Sequence, residues 1–257
     1  MGWLRFGTGP FLDHNEEAWQ VETWRWLLDH LGGRRALCSV PLVTPARAFF
    51  PPTDAAGYAR TEHIFAIVKQ LYGMADWPCR LAAQPRRQDL AVGDLVVLKR
   101  EGAGPPAGTF GREGEEAMIT YDPAGLDDPI ALVATFAHEL AHYRLATVLE
   151  ELPGGQSMHE FATDLATVHA GFGLFGANSA FNFRQFQGVV SQDWSVSRLG
   201  YLSPRAWIFA LAIFLELRSQ PDEDAKAFLK PHLFSDLRKA RRYLQRRPVL
   251  LEPLGGG

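Results

Sequence analysis

His138 and His142 stand one helical turn apart in the stretch TFAHELAHYRL, with Glu139 directly after the first histidine. Residues four apart leave the same face of an α-helix, with their rings about 6 Å apart along the axis. Imidazoles so placed converge on one zinc ion at about 2.0–2.1 Å per bond. Glu139 is turned by about 100° from His138. It therefore flanks the ion, in position to take a proton from a water activated there. H-E-x-x-H is the pattern that carries this hydrolytic chemistry. The competing reading is an amphipathic helix whose histidines are surface residues or satisfied core groups. Leu132, Val133, Phe136 and Leu140 make the segment apolar and put the pair near a core. Two buried histidines without a partner are costly.

A catalytic zinc takes three protein ligands and keeps one position open. Downstream, SMHEFATDLATVHAGFG offers Glu160 and Asp164, again one turn apart. In one reading Glu160 is the third ligand, and Asp164 accepts the free N–H of a ligand imidazole and fixes its tautomer. In the other, Ser157 and Glu160 form an S-x-x-E capping box, which draws the glutamate back to its own helix start. Asp164 or His159 would then coordinate instead. His159 is otherwise a neighbour of the site, and His169 a core or surface residue.

Several elements must position these groups. Trp19, Val21, Trp24, Leu27, Leu28 and Leu31 recur at helical spacing over residues 15 to about 31, and Trp26 falls off their stripe. The loops VPLVTP and FFPPTD follow, then a second helix over residues 61–72. CRLAAQ, DLVVL and EAMITYD are short, separated by turn residues such as GAGPPAG, and read as strands of a small sheet. The helix with both histidines is expected from residue 129 to about 151, and the next from about 157 to the glycines at 171 and 173. Ser203-Pro204 opens another helix with a capping hydroxyl and a proline in its first turn, and Pro221 is expected to stop it. The last helix spans residues 233 to about 246. Helices, a small sheet and helices again make the fold class α+β.

HELAH, a gap of 17 residues and then EFATD resembles the gluzincin metallopeptidases, the group that includes thermolysin and the zinc aminopeptidases. The resemblance covers residues 115 to 175. It implies a zincin-like fold, with a small mixed sheet, an active-site helix and a mainly helical C-terminal part. It also implies that His138, His142 and Glu160 bind one zinc ion, that Glu139 is the general base and that Asp164 supports a ligand from behind. AMITYD becomes the candidate edge strand against which a peptide or protein substrate lies. The chain departs from the family in carrying His159 where thermolysin-like enzymes have Asn, and in lacking the G-x-M-E-N stretch of the aminopeptidases. Among Tyr201, Arg205 and His232, each of which reads first as structural, Tyr201 is the one to test as a donor to the reacting carbonyl oxygen. The expected organisation is an N-terminal segment 1–60, a catalytic core 61–175, a helical subdomain 176–248 and a tail 249–257.

A formal charge of −3 offers no general attraction to nucleic acid or an anionic membrane. RKARRYLQRR, from Arg238, reads as the solvated face of a helix buried through Leu233, Phe234, Leu237 and Leu244. WIFALAIFL is too short to span a bilayer and reads as a buried helix. Cys38 and Cys79 form no metal spacing or disulfide framework, and the first residues lack the apolar run of a secretory signal. The expectation is a cytoplasmic zinc metallopeptidase with no nucleic-acid or membrane partner. The alternative is a non-catalytic zinc protein that keeps the fold for binding or regulation, which would have no use for Glu139.

Overall fold

A computed structural model describes residues 9–84, 108–113, 116–187 and 201–255. In it, Ala117, Ile119 and Tyr121 of strand β3 (Glu116–Tyr121) are buried, while Met118 and Thr120 between them are half-buried. This period of two belongs to a strand with one face on a core. Strand β1 (Cys79–Ala83) runs parallel to β3, and β2 (Gly108–Glu113) runs antiparallel on its other side, giving the order β1-β3-β2. The EAMITY strand is therefore central, which corrects its expected place at the edge. GTFGRE, unread as a strand in the sequence, is an edge among the described residues. Two glycines in six residues hide it, because glycine is depleted in strands. DLVVL and most of GAGPPAG lie outside the described residues.

The sheet belongs to one compact unit, Pro52–Tyr143. The same unit holds α3 (Gly57–Leu71) and most of α4 (Pro129–Leu145). The other unit comprises Met1–Pro51 and Arg144–Gly257. It contains α1 (His14–His30), α2 (Gly33–Ser39), α5 (His159–His169), α6 (Gly173–Gln187), α7 (Pro204–Leu217), α8 (Glu223–Lys226) and α9 (Pro231–Gln245). Overall the chain is mixed α+β and mainly helical.

Within that second unit, α7 is the centre. Its residues from Ala206 to Leu215 are buried, and it packs against α5, α6 and α9. Ser203 caps it as expected, accepting from Ala206 N–H at 3.1 Å. The helix ends before Pro221, at Leu217, where Ser219 turns left-handed at φ 51°. Such a conformation is uncommon outside glycine and breaks the helical run. On α9, Leu233, Leu237, Ala240 and Leu244 are buried, and Arg238, Lys239, Arg242 and Arg246 are exposed, so the basic run is a solvated face. Arg241 is the exception: it is buried between Glu216 and Asp222, at 2.6 and 3.1 Å. The described chain ends in two 3₁₀ turns, Pro248–Leu250 and Glu252–Leu254, with Leu254 buried. Among the described residues no helix is long and apolar enough to cross a membrane.

Candidate metal centre

α4 starts where Asp128 accepts the N–H groups of Ile130 and Ala131, both at 3.0 Å, with Pro129 in the first turn. A side-chain acceptor there satisfies donors that the helix leaves unpaired, and proline loses nothing at that position. The helix stops at Leu145 rather than near residue 151. There the Thr147 hydroxyl and N–H both donate to Arg144 O, at 2.7 and 3.2 Å, and Val148 N–H to Leu145 O at 3.0 Å, the i to i−3 bonding of a closing turn.

Leu132, Val133, Phe136, Ala137, Leu140 and Ala141 form the buried face of α4. Rings from α3, β2 and β3 meet it. Phe65 and Tyr121 meet Phe136 edge-on at 5.2 and 6.2 Å, and the Tyr72 hydroxyl donates to Ala137 O. Tyr143 is stacked by Phe110 at 5.3 Å, met edge-on by Trp77 at 4.9 Å, and donates to Pro78 O at 3.1 Å. A helix held this way has little freedom to rotate about its axis. The angular positions of residues 138, 139 and 142 are set accordingly.

His138 and His142 are half-buried, with their Nε2 atoms 3.0 Å apart and their rings at 82°. Glu160, from α5, completes a group: one ligand atom from each of the three residues lies within 4.8 Å of the others. Two nitrogens bound to one ion at the tetrahedral angle would be about 3.3 Å apart. The observed pair is a few tenths of an ångström closer, a difference that side-chain torsions can absorb. Two imidazoles and one carboxylate form a donor set that suits zinc, and they leave part of the dication's charge uncompensated. The residues present fit the metal.

Ser157 does not form the capping box. Residues Gln156–Met158 make a 3₁₀ turn in which the Ser157 hydroxyl donates to Gly154 O at 3.3 Å. Met158 is the cap of α5 and supplies no side-chain bond. The turn puts the hydroxyl one residue too early to reach the helix start, and Glu160 stands with the two histidines. His159 and Asp164 are outside that group.

Asp164 is 1% exposed, and its Oδ2 accepts the N–H of Leu202 at 2.8 Å. The carboxylate on the helix that carries Glu160 thereby holds the segment leading into Ser203 and α7. Tyr201, next to it, is 41% exposed. Arg205 donates to Phe11 O and lies over the Phe11 ring, and His232 is exposed. His169 is a core residue: burial, with Arg144 adding to it, pushes its pKa down to about 3.

Glu139 is 6% exposed, and its stem runs beside Gly108 of β2. Gly108 is a site neighbour that the sequence reading did not find. The signal for it was weak: Gly108 is the last residue of GAGPPAG, which reads as a turn.

The chain matches no known protein-family model, no curated protein and no solved structure.

Proposed function

We propose that this chain is a zinc-dependent peptidase of gluzincin type, with His138, His142 and Glu160 as ligands and Glu139 as general base. The observation that carries the proposal is the convergence of those three ligand atoms within 4.8 Å of one another, on a donor set that suits zinc. When bound, zinc would supply Lewis-acid polarisation of the substrate carbonyl and acidify a water.

The remaining chemistry belongs to the chain. Glu139 takes the proton of the attacking water and delivers it to the leaving amine, the role of a positioned carboxylate next to a metal. Its low exposure keeps bulk water from competing for that proton. The flanking edge strand β2 pairs only with β3 among the described residues, so a peptide in extended form has a backbone to follow. A small sheet with an antiparallel strand, followed by a helix with both histidines and another with the glutamate, supports the reading of a zincin-like core. Neither Cys38 nor Cys79 is in a disulfide, which favours a reducing compartment such as the cytoplasm.

The test is metal analysis of purified protein, then cleavage of a peptide library with and without chelator. One zinc per chain and chelator-sensitive cleavage are expected. Zinc without cleavage of any peptide would favour the binding or regulatory alternative, and no metal affinity would end the proposal.

A further inference from the structure

Strand β2 runs along α4 in step with the helical turns. Gly108 abuts Thr135 and Glu139, and Phe110 stacks on Tyr143. Residues 135, 139 and 143 share one helical face, and residues 108 and 110 one strand face. Two strand residues advance about 6.7 Å and four helical residues about 6 Å, so the two elements stay in register over this length.

At Gly108 the approach leaves no room for a side chain. A Cβ there would lie 2.5 Å from Thr135 Cγ2, 2.8 Å from Thr120 O and 3.1 Å from Glu139 Cγ. Gly108 is absent from the glycines with positive φ, so its backbone is one that other residues can adopt. Space, then, is what demands glycine here. A glycine within a strand weakens it and marks a place where something must come close. What comes close is the Thr135 methyl, the Thr120 carbonyl and, beside them, the stem of the proposed general base.

We propose that Gly108 is a positioning residue for Glu139: by lacking a Cβ it lets the β2 backbone form the wall against which the Glu139 side chain is set. The inference rests on the peptidase reading for its functional consequence, though the contact itself does not. A base displaced by about 1 Å loses roughly a hundredfold in rate. Any side chain at position 108 must move Glu139, Thr135 or the strand.

The experiment is Gly108→Ala, alone and combined with Glu139→Gln or Thr135→Ala. The single variant is expected to bind one zinc per chain with KM within about twofold of wild type, while kcat falls about ten- to a hundredfold. Within Glu139→Gln it should cost nothing further, because the group it acts through is already disabled. Thr135→Ala removes the nearest obstructing methyl and should restore part of kcat. A readout independent of turnover is the 13C resonance of the Glu139 carboxyl, assigned by its loss in Glu139→Gln; Gly108→Ala should shift it even in metal-free protein. Unchanged kcat together with an unmoved resonance would overturn the proposal, as would an equal loss in the Glu139→Gln background. Should neither alanine variant fold, the wild-type crystal structure decides. One Glu139 rotamer against Gly108 supports the role, and several rotamers refute it. A wild type that cleaves no peptide sinks the peptidase reading alone, and the resonance shift still tests the contact.

Discussion

The Nε2 atoms of His138 and His142 face each other at 3.0 Å across one turn of α4. Two imidazole nitrogens so close cannot both point lone pairs at each other without a proton or a cation between them. With Glu160 in the same group, the proposed divalent cation could satisfy all three at once. Stability should therefore depend on the metal.

Zinc at a hundredfold excess over its dissociation constant adds about 2.7 kcal/mol to the folded state. For a chain of this size that corresponds to a rise of about 5–10 °C in Tm. His142→Ala should abolish most of this rise while leaving the metal-free Tm within a few degrees. Calorimetry with and without zinc checks both, and an undiminished rise in the variant would remove His142 from the ligand set.

Glu139→Gln keeps the side-chain volume and removes the proposed base. The variant should hold zinc with unchanged stoichiometry and lose about a hundred- to ten-thousandfold in kcat. Steady-state kinetics on any peptide that the wild type cleaves gives the answer. Full activity would mean that another group takes the proton.

Asp164 ties α5 to Leu202 through a buried, charge-assisted hydrogen bond of 2.8 Å. Asp164→Ala leaves that N–H without its acceptor and should cost about 1.5–3 kcal/mol in urea unfolding. Asp164→Asn keeps an acceptor and should recover roughly half of the loss. Equal costs for the two variants would show that charge, not the Leu202 bond, is what the position supplies.

His169 sets a pH limit. Its ordinary pKa of 6.5 is lowered to about 3 in the fold, chiefly by burial and then by Arg144. The unfolded chain thus takes up a proton below about 6.5 that the folded chain refuses until about 3. Stability falls as pH falls through this window, by up to about 1.4 kcal/mol per pH unit. His169→Leu should lessen that slope relative to wild type when urea midpoints of metal-free protein are compared between pH 4 and pH 6.5, roughly. Parallel slopes would mean that His169 is protonated in the fold.

Part of the candidate centre was legible without coordinates because it is local. The spacing of His138, Glu139 and His142 fixes their angles about one helix, and helix geometry does not depend on the rest of the chain. The same holds for the Ser203-Pro204 start of α7 and the exposed basic face of α9, both of which follow from periodicity and capping alone. The tertiary structure decided what distant segments share. Hydrogen bonds to β1 and β2 make β3 central, and no pattern within EAMITY records how many neighbours it has. A 3₁₀ turn, not the S-x-x-E spacing, governs whether Ser157 can reach the start of α5, and Asp164 meets a backbone N–H 38 residues away. Gly108 was invisible for the same reason. A residue that matters for the atoms it lacks leaves no periodic trace, and only the strand lying against Thr135 and Glu139 shows that a side chain there has no room.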